Sequence, residues 1–169
     1  MSLSIPGAAI DARDVSGGGL HVPAGHGVTK WFSGDVYTVR LQAAQTGNSV
    51  GIVEASVPPG GGPVPHTHAE QEETFYLLSG ELEFLDGERT FTAVTGDIVH
   101  IPRMVRHRFK NVGLHTTKLL FIYTPAGAEG LFVEGGDEPE PGVQVDNWGP
   151  ERFDERMLGL FSKYGVEAV

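Results

Sequence analysis

Short runs with strand character recur between about residues 29 and 124, and turns rich in glycine and proline separate them. In the run 35–41, the apolar residues Tyr37, Val39 and Leu41 alternate with polar ones. This period of two predicts a strand with one buried face, because successive side chains of a strand point to opposite sides. About nine or ten such runs at regular spacing predict an antiparallel β-sandwich or β-barrel.

The turns between these runs carry signals of their own. Residues 58–63 read Pro-Pro-Gly-Gly-Gly-Pro and end the run 50–57, because proline cannot donate to a β-ladder. Asp86 and Gly87 lie between two runs of β character, and this dipeptide is a strong hairpin signal. The residues of the run 50–57 that we expect to face inward are Val53, Ala55 and Val57.

The two ends of the chain differ from this pattern. Residues 1–28 are rich in Gly, Ala and Pro without a sustained period, and we interpret them as an N-terminal arm. Pro150 begins a helical pattern, whose apolar face comprises Phe153, Met157, Leu160, Phe161 and Tyr164. The predicted division is therefore an arm (1–28), a barrel (29–126) and a C-terminal extension (127–169) with a helix at about 150–164 that Gly165 ends.

Composition and charge exclude several classes of function. The formal net charge of the 169-residue chain is −10, which argues against binding to nucleic acid or to an anionic membrane surface. The chain has no cysteine, so disulfides and thiolate zinc sites are excluded and any metal site must use His, Asp or Glu. We find no apolar run of membrane-spanning length and no signal peptide, and we expect a cytoplasmic protein.

The segment 60–80 contains the residues best suited to chemistry. His66 and His68 occupy alternate positions, so in a strand both imidazoles lie on one face, with Cα atoms about 6.6 Å apart. Glu72 and Glu73 follow directly, and only one of these neighbours can share a face with an inward-pointing site. We predict that His66, His68 and Glu73 are three of the four ligands of one metal ion, with the fourth in a second segment, and that Glu72 is solvated or paired with an arginine.

The spacing of two sets of residues resembles the two motifs of the cupin family. Gly60, His66, His68, Glu73 and Gly80 match the first motif, and Gly96, Pro102, His107 and Asn111 match the second. The resemblance implies an all-β fold, namely an antiparallel jelly-roll β-barrel (a double-stranded β-helix), here with a short C-terminal α-helix. It also implies a homodimer and one metal ion held by His66, His68, Glu73 and His107.

More loosely, the chain resembles single-domain quercetin dioxygenase-like cupins. The supporting features are the proline- and glycine-rich segment 58–63, the Thr-Pro-Ala-Gly at 124–127 and a closing helix that ends in Lys163 to Glu167. One position departs from the family, which usually has glycine two residues after the proline of the second motif, where this chain has Met104. Because methionine tolerates positive φ poorly, we expect a different turn before His107, with Met104 at the mouth of the barrel.

The expected pocket is apolar and suits a flat aromatic or enolic compound. The residues predicted to line it are Phe75, Leu77, Phe109, Phe121, Met104 and His100. His100 is included because it lies two residues before Pro102.

Three classes of function follow from this ligand set. The first is a metal-dependent dioxygenase that combines O2 with a small aromatic, flavonoid-like or polyketide-like compound, with Glu73 as the catalytic acceptor of the substrate proton. The second is a non-redox isomerase or cyclase that uses the ion as a Lewis acid, and the third is a non-catalytic cupin that binds a small molecule. One divalent transition metal (Fe, Ni, Mn, Co, Cu or Zn) is expected in the first two classes, and the sequence selects neither the metal nor the substrate.

Overall fold

The fold consists of two antiparallel β-sheets and three short α-helices in the part of the chain that the computed structural model describes, residues 18–169. Residues 1–17, most of the predicted arm, lie outside the described residues. The strands are β1 (Val28–Phe32), β2 (Asp35–Leu41), β3 (Gly51–Val57), β4 (His66–His68), β5 (Glu72–Ser79), β6 (Glu81–Asp86), β7 (Arg89–Val94), β8 (Ile98–Ile101), β9 (His107–Lys110), β10 (Thr117–Thr124) and β11 (Val166–Ala168). The helices are α1 (Ala43–Thr46), α2 (Gly130–Gly135) and α3 (Glu155–Lys163), with a 3₁₀ turn at Pro150–Arg152.

The strand order mixes distant parts of the chain. One sheet has the order β1-β2-β3-β10-β5-β8 and the other has the order β11-β4-β9-β6-β7. Neighbours in space are therefore often far apart in sequence, as expected when a chain folds as a jelly roll. The predicted all-β, antiparallel jelly-roll fold with a helix near the C-terminus is confirmed.

The alternation of buried and exposed side chains along the strands shows which residues form the inner faces of the two sheets. Along β5, Glu73, Phe75 and Leu77 are buried, while the residues between them are more exposed. On the neighbouring strand, Tyr123 pairs with Glu73 and Phe121 pairs with Phe75, so their side chains share the same inner face. The inward positions predicted on β3, which are Val53, Ala55 and Val57, are all fully buried.

The core between the sheets is largely aromatic. The ring centroids of Phe84 and Phe121 each lie 5.2 Å from that of Phe75, and the Phe109 centroid lies 5.9 Å from it. These edge-on contacts add to the burial of each phenylalanine, which alone stabilises the fold by about 2–3 kcal/mol. The four rings form a close-packed apolar layer, which begins two residues after Glu73 on β5.

The C-terminal region contains a shorter α-helix than the sequence predicted and a further strand after it. The predicted helix at about 150–164 is a 3₁₀ turn followed by α3, whose first turn is capped by Asp154 as it accepts a hydrogen bond from Met157 N at 2.9 Å. The helix ends before Gly165 (φ 65°), as predicted, but the residues after it form β11, an unpredicted strand that pairs with β4. The division into arm, barrel and extension stays a prediction, because β11 returns from the extension to a barrel sheet. None of the described helices is both long and apolar enough to span a membrane.

Candidate metal centre

Three strands bring the four expected ligands together. His66 and His68 come from β4, Glu73 comes from β5 and His107 comes from β9. One nitrogen or oxygen atom of each residue lies within 4.8 Å of the corresponding atoms of the others. The ring centroid of His66 lies 4.4 Å from that of His107 and 5.1 Å from that of His68. Such a group of three imidazoles and one carboxylate could hold a divalent transition metal.

Backbone carbonyls orient two of the imidazoles. His66 Nδ1 lies 2.9 Å from the Val64 oxygen, and His107 Nδ1 lies 2.8 Å from the Val105 oxygen. In each case the partner is the carbonyl two residues earlier, which favours the tautomer with the proton on Nδ1. The Nε2 atom of each ring then faces the group as a possible ligand atom, and that of His107 lies 2.9 Å from Glu73 Oε2.

His68 provides a direct test of whether these residues fit a metal ion. Its side chain is only 5% exposed, and within residues 18–169 neither ring nitrogen has a hydrogen-bond partner. His68 Nε2 lies 3.1 Å from Glu73 Oε2, but this contact lacks hydrogen-bond geometry. Because buried polar atoms are normally satisfied, this unpartnered nitrogen beside a carboxylate fits a site built for a cation.

The pKa values in the centre follow from burial and mutual contact. Burial and then the neighbouring imidazoles His107 and His68 lower the pKa of His66 to about 3, so this ring is neutral at physiological pH. For Glu73, burial would raise the pKa, but contacts with His68 and His107 outweigh it and hold the pKa well below the usual range. Burial lowers the pKa of His107, but the 2.9 Å hydrogen bond to Glu73 outweighs burial and raises it. Glu73 is therefore an anion at neutral pH, as a metal ligand requires, whereas the raised pKa of His107 means that metal binding would displace a proton from this ring.

Tyr123 is a residue of the centre that sequence reasoning missed. Its ring centroid lies 5.6 Å from that of His68, and its backbone pairs with Glu73. Burial and then the negative charge of Glu73 raise the pKa of the Tyr123 phenol well above its usual value, so the hydroxyl keeps its proton. The alternation that places Leu119 and Phe121 on the inner face continues to Tyr123 and is the signal that could have found it.

The predicted apolar wall lies partly at the centre and partly behind it. The ring of Phe75 lies 6.2 Å from that of His107, measured between centroids, so Phe75 borders the ligand group. Phe109 and Phe121 pack against Phe75 within the core, at 5.9 Å and 5.2 Å. Leu77 is fully buried. It lies two residues after Phe75 on β5, on the side away from Glu73. The register therefore places Leu77 in the core, farther from the four ligands.

Met104 lies in the turn before β9, next to the ligand strand. It adopts φ 62°, so the methionine itself takes a backbone conformation that usually favours glycine. Its backbone N–H donates to the His68 oxygen at 2.9 Å, and its side chain is 61% exposed. The expected change of turn is therefore not needed, because Met104 accepts the left-handed angle.

The structure does not bring His100 to the candidate centre. His100 pairs with Thr74 on β5, and these two residues lie on the face opposite to Glu73. Its Nδ1 lies 2.8 Å from Thr74 Oγ1, and its Nε2 lies 3.8 Å from Glu72 Oε2. The prediction that His100 lines the pocket, made because it lies two residues before Pro102, is therefore not supported. Side chains alternate along β8, and His100 occupies an outward position.

Comparisons with known proteins agree with this geometry. Residues 53–123, from β3 to β10, match the family model of the cupin domain and include all four candidate ligands. Over 103 residues the chain is 30% identical to quercetin 2,3-dioxygenase of Bacillus subtilis strain 168, and the aligned region covers 60% of this chain and 30% of that protein. Over 97 residues it is 33% identical to polyketide synthase CurC of Streptomyces cyaneus, and the aligned region covers 52% of this chain and 62% of that protein. The chain thus spans less than two thirds of the length of these curated relatives.

Solved structures support the fold. A predicted oxalate decarboxylase from Thermotoga maritima superposes with a TM-score of 0.59 at 19% identity, over 63% of this chain and 99% of that chain. The oxalate decarboxylase of Lactobacillus farciminis, in a formate complex, superposes with a TM-score of 0.52 at 20% identity, over 62% of this chain and 34% of that chain. Residues 53–123 therefore match a cupin domain in sequence, and the superpositions support a cupin fold.

Proposed function

We propose that the chain binds one divalent first-row transition metal ion between His66, His68, Glu73 and His107. The observation that carries this proposal is the convergence of four ligand atoms within 4.8 Å, in a buried group where His68 has no other partner. Imidazole and carboxylate ligands together admit Fe, Ni, Mn, Co, Cu and Zn, so the donor set does not select one metal.

The function we propose for this centre is that of a dioxygenase acting on a small aromatic, flavonoid-like or polyketide-like compound. The similarity to quercetin 2,3-dioxygenase supports this reaction class, and the apolar wall formed by Phe75 supports a flat substrate. In such a reaction both atoms of O2 enter the product, so no external reductant is required. A bound ion would supply Lewis acidity and, if redox-active, a route for electrons between the substrate and O2.

The side chains of the centre would handle the proton and exclude water. Glu73 is ionised at neutral pH, and we assign it the role of accepting the proton from an enol or phenol of the substrate. Tyr123 keeps its own proton beside Glu73 and can donate a hydrogen bond to the carboxylate. Phe75 and the rings behind it present apolar surface to one side of the ligands, which would favour a flat, apolar substrate ring there.

A second candidate is a non-redox isomerase or cyclase acting on a polyketide-like compound. The observation that favours it is the similarity to a protein named polyketide synthase CurC, whose length the chain covers more fully than that of the dioxygenase. The same four ligands would serve a Lewis acid that polarises a carbonyl. A non-catalytic binding cupin is the third alternative, but binding alone does not require four convergent ligands.

Metal titration and an oxygen-dependence assay test these proposals. The purified protein should bind one Ni²⁺, Mn²⁺ or Zn²⁺ ion per chain in calorimetry, and His68→Ala should weaken binding by at least about 100-fold. His100→Ala is the matched control, because this histidine lies on the outer face, and it should bind like the wild type. Wild-type protein that binds none of these ions would refute the metal site.

Turnover then separates the three classes. Protein reconstituted with each metal is incubated with flavonols and polyketide-like phenols, with and without O2, while O2 consumption and products are measured. O2 uptake that depends on substrate supports the dioxygenase. Product formed without O2 supports the isomerase or cyclase, and tight metal binding without turnover of any compound supports the non-catalytic alternative.

A further inference from the structure

Strand β11, which provides no ligand, pairs directly with the strand that provides two. Val166, Glu167 and Ala168 of β11 lie opposite His68, Thr67 and His66 of β4. The pairing continues beyond both ends of β11, since Ala69 N donates to the Gly165 oxygen at 2.8 Å and Val169 N donates to the Pro65 oxygen at 3.0 Å. The whole His-x-His segment is therefore matched by residues that follow α3.

Strand β4 has few other backbone contacts to hold it. It is three residues long, and its pairing with β9 consists of His66 opposite His107. On that side it also accepts the hydrogen bond from Met104 N to the His68 oxygen. Because short strands with one partner are only marginally stable, β11 supplies a large part of the order of this segment.

The hydrogen-bond register shows which residue of β4 is bonded to the backbone of β11. Hydrogen-bonded and non-hydrogen-bonded pairs alternate in an antiparallel ladder. The bonded pairs are Gly165 with Ala69 and Val169 with Pro65, so the bonded pair between them is Glu167 with Thr67. The backbone of β11 thus holds Thr67, the residue between the two histidines.

Two side chains of β11, those of Val166 and Ala168, lie on the same face as the ligands of β4. Val166 and Ala168 are directly opposite His68 and His66, and residues directly opposite in a ladder share a face. Val166 is 9% exposed and belongs to the hydrophobic core. It therefore packs beside His68 from the side that β9 does not cover.

The position of β11 is itself fixed by helix contacts. Lys163 Nζ lies 2.7 Å from Glu134 Oε1 of α2, and the Tyr164 hydroxyl donates to the same oxygen at 2.6 Å. Met157 of α3 is 1% exposed and packs in the core. These contacts hold α3 on α2 and place the start of β11 beside Ala69.

We propose that β11 is a positioning element of the metal centre, so that metal affinity depends on a strand without a ligand. The inference rests on the proposed metal site. If β4 is not held, its residues must become ordered when the ion binds, and binding then loses affinity because ordering costs conformational entropy.

The test uses a proline in the middle of β11. Glu167→Pro removes the N–H that donates to the Thr67 oxygen, whereas Glu167→Ala keeps that N–H and is the matched control. We expect Glu167→Pro to weaken Ni²⁺ and Zn²⁺ binding by 10- to 100-fold in calorimetry, within the range that lost outer support of a metal site produces. Val169→Pro, which removes the bond to the Pro65 oxygen at the end of β11, should give a smaller loss in the same direction.

Amide hydrogen exchange of the metal-free proteins gives a second readout. In Glu167→Pro, residues 64–69 should exchange at least about 10-fold faster, while the core strands β5 and β10 keep wild-type rates. This result does not depend on any metal, so it separates the role of β11 from the existence of the site. Wild-type protein that binds no metal would refute the proposed function, and exchange alone would then show whether β11 orders β4.

Two results would overturn the inference. The first is a folded Glu167→Pro protein with wild-type metal affinity, whether or not residues 64–69 exchange faster than in the wild type. The second is a Glu167→Ala protein that loses as much affinity as Glu167→Pro, because the effect would then come from the glutamate side chain.

Discussion

Asp35 is a buried carboxyl group whose ionisation should lower the stability of the protein at neutral pH. It is 1% exposed, and the Tyr37 hydroxyl donates to its Oδ2 at 2.9 Å. Its Oδ1 has no hydrogen-bond partner within residues 18–169 and lies against Gly61, where a Cβ atom would overlap it. Burial raises the pKa of Asp35 from 3.8 to about 7, although the Tyr37 hydrogen bond opposes the rise.

The raised pKa determines the sign and the size of the effect. Below about pH 4, Asp35 is protonated in both the folded and the unfolded protein and contributes no pH dependence. Between about pH 4 and pH 7 the unfolded chain releases this proton while the folded protein retains it, so the free energy of unfolding falls as pH rises. The difference of about three pH units, at 1.36 kcal/mol each, corresponds to about 4 kcal/mol above pH 7.

Asp35→Asn removes the ionisation and keeps an oxygen that can accept from Tyr37. The free energy of unfolding of Asp35→Asn minus that of the wild type should therefore rise from pH 4 to pH 8 by about 4 kcal/mol. Any cost of burying the amide is independent of pH and does not alter this slope. Urea unfolding of both proteins at pH 4, 5, 6, 7 and 8 measures it.

The difference between the two proteins cancels the titration of every other group. Asp146→Asn, in an exposed connection, is the matched control for the loss of one carboxylate from the chain. A difference for Asp35→Asn that is constant from pH 4 to pH 8 would show that the folded protein ionises Asp35 as readily as the unfolded chain does. The assignment of a destabilising buried carboxyl group would then be wrong.

Three further predictions concern the backbone and assembly. Gly62→Ala should lower the free energy of unfolding by at least about 2 kcal/mol more than Gly60→Ala, because a Cβ atom at position 62 would overlap the Phe109 carbonyl oxygen while position 60 is open; equal losses in urea unfolding would contradict this. Met104→Gly should raise the free energy of unfolding by up to about 1 kcal/mol, since φ is 62° there, and Met104→Ala should not; an equal gain in both would argue against backbone strain. The expected homodimer should have twice the mass of one chain in size-exclusion chromatography with light scattering, and a single-chain mass would refute it.

Local patterns in the sequence were sufficient to predict most of the fold. The period of two located the strands and their buried faces, for example the inward positions Val53 and Ala55, because alternation is a local property of an extended backbone. The same alternation distinguished Glu73, whose side chain is buried, from its neighbour Glu72, whose side chain is partly exposed. The motif spacing indicated four ligands that the structure brings together, and their role as ligands stays a proposal.

Residues of the centre that depend on non-local pairing were not predicted. Tyr123 reaches the centre because β10 pairs with β5 in a particular register, and His100 is directed outward by its pairing with Thr74. A register between strands depends on contacts across the whole barrel, which no short stretch of sequence specifies. The positive φ of Met104 likewise depends on the surrounding turn and its bond to His68.

The sequence by itself determined an acidic, cysteine-free β-protein with strands at known places and a His-x-His-Glu pattern of metal-ligand type. Only the tertiary structure decided that the ligand strand β4 lies between β9 and β11, and that burial makes His66 neutral while Glu73 stays ionised. The physical reason is that strand order and burial arise from contacts between distant parts of the chain, whereas alternation and turn chemistry act between neighbours.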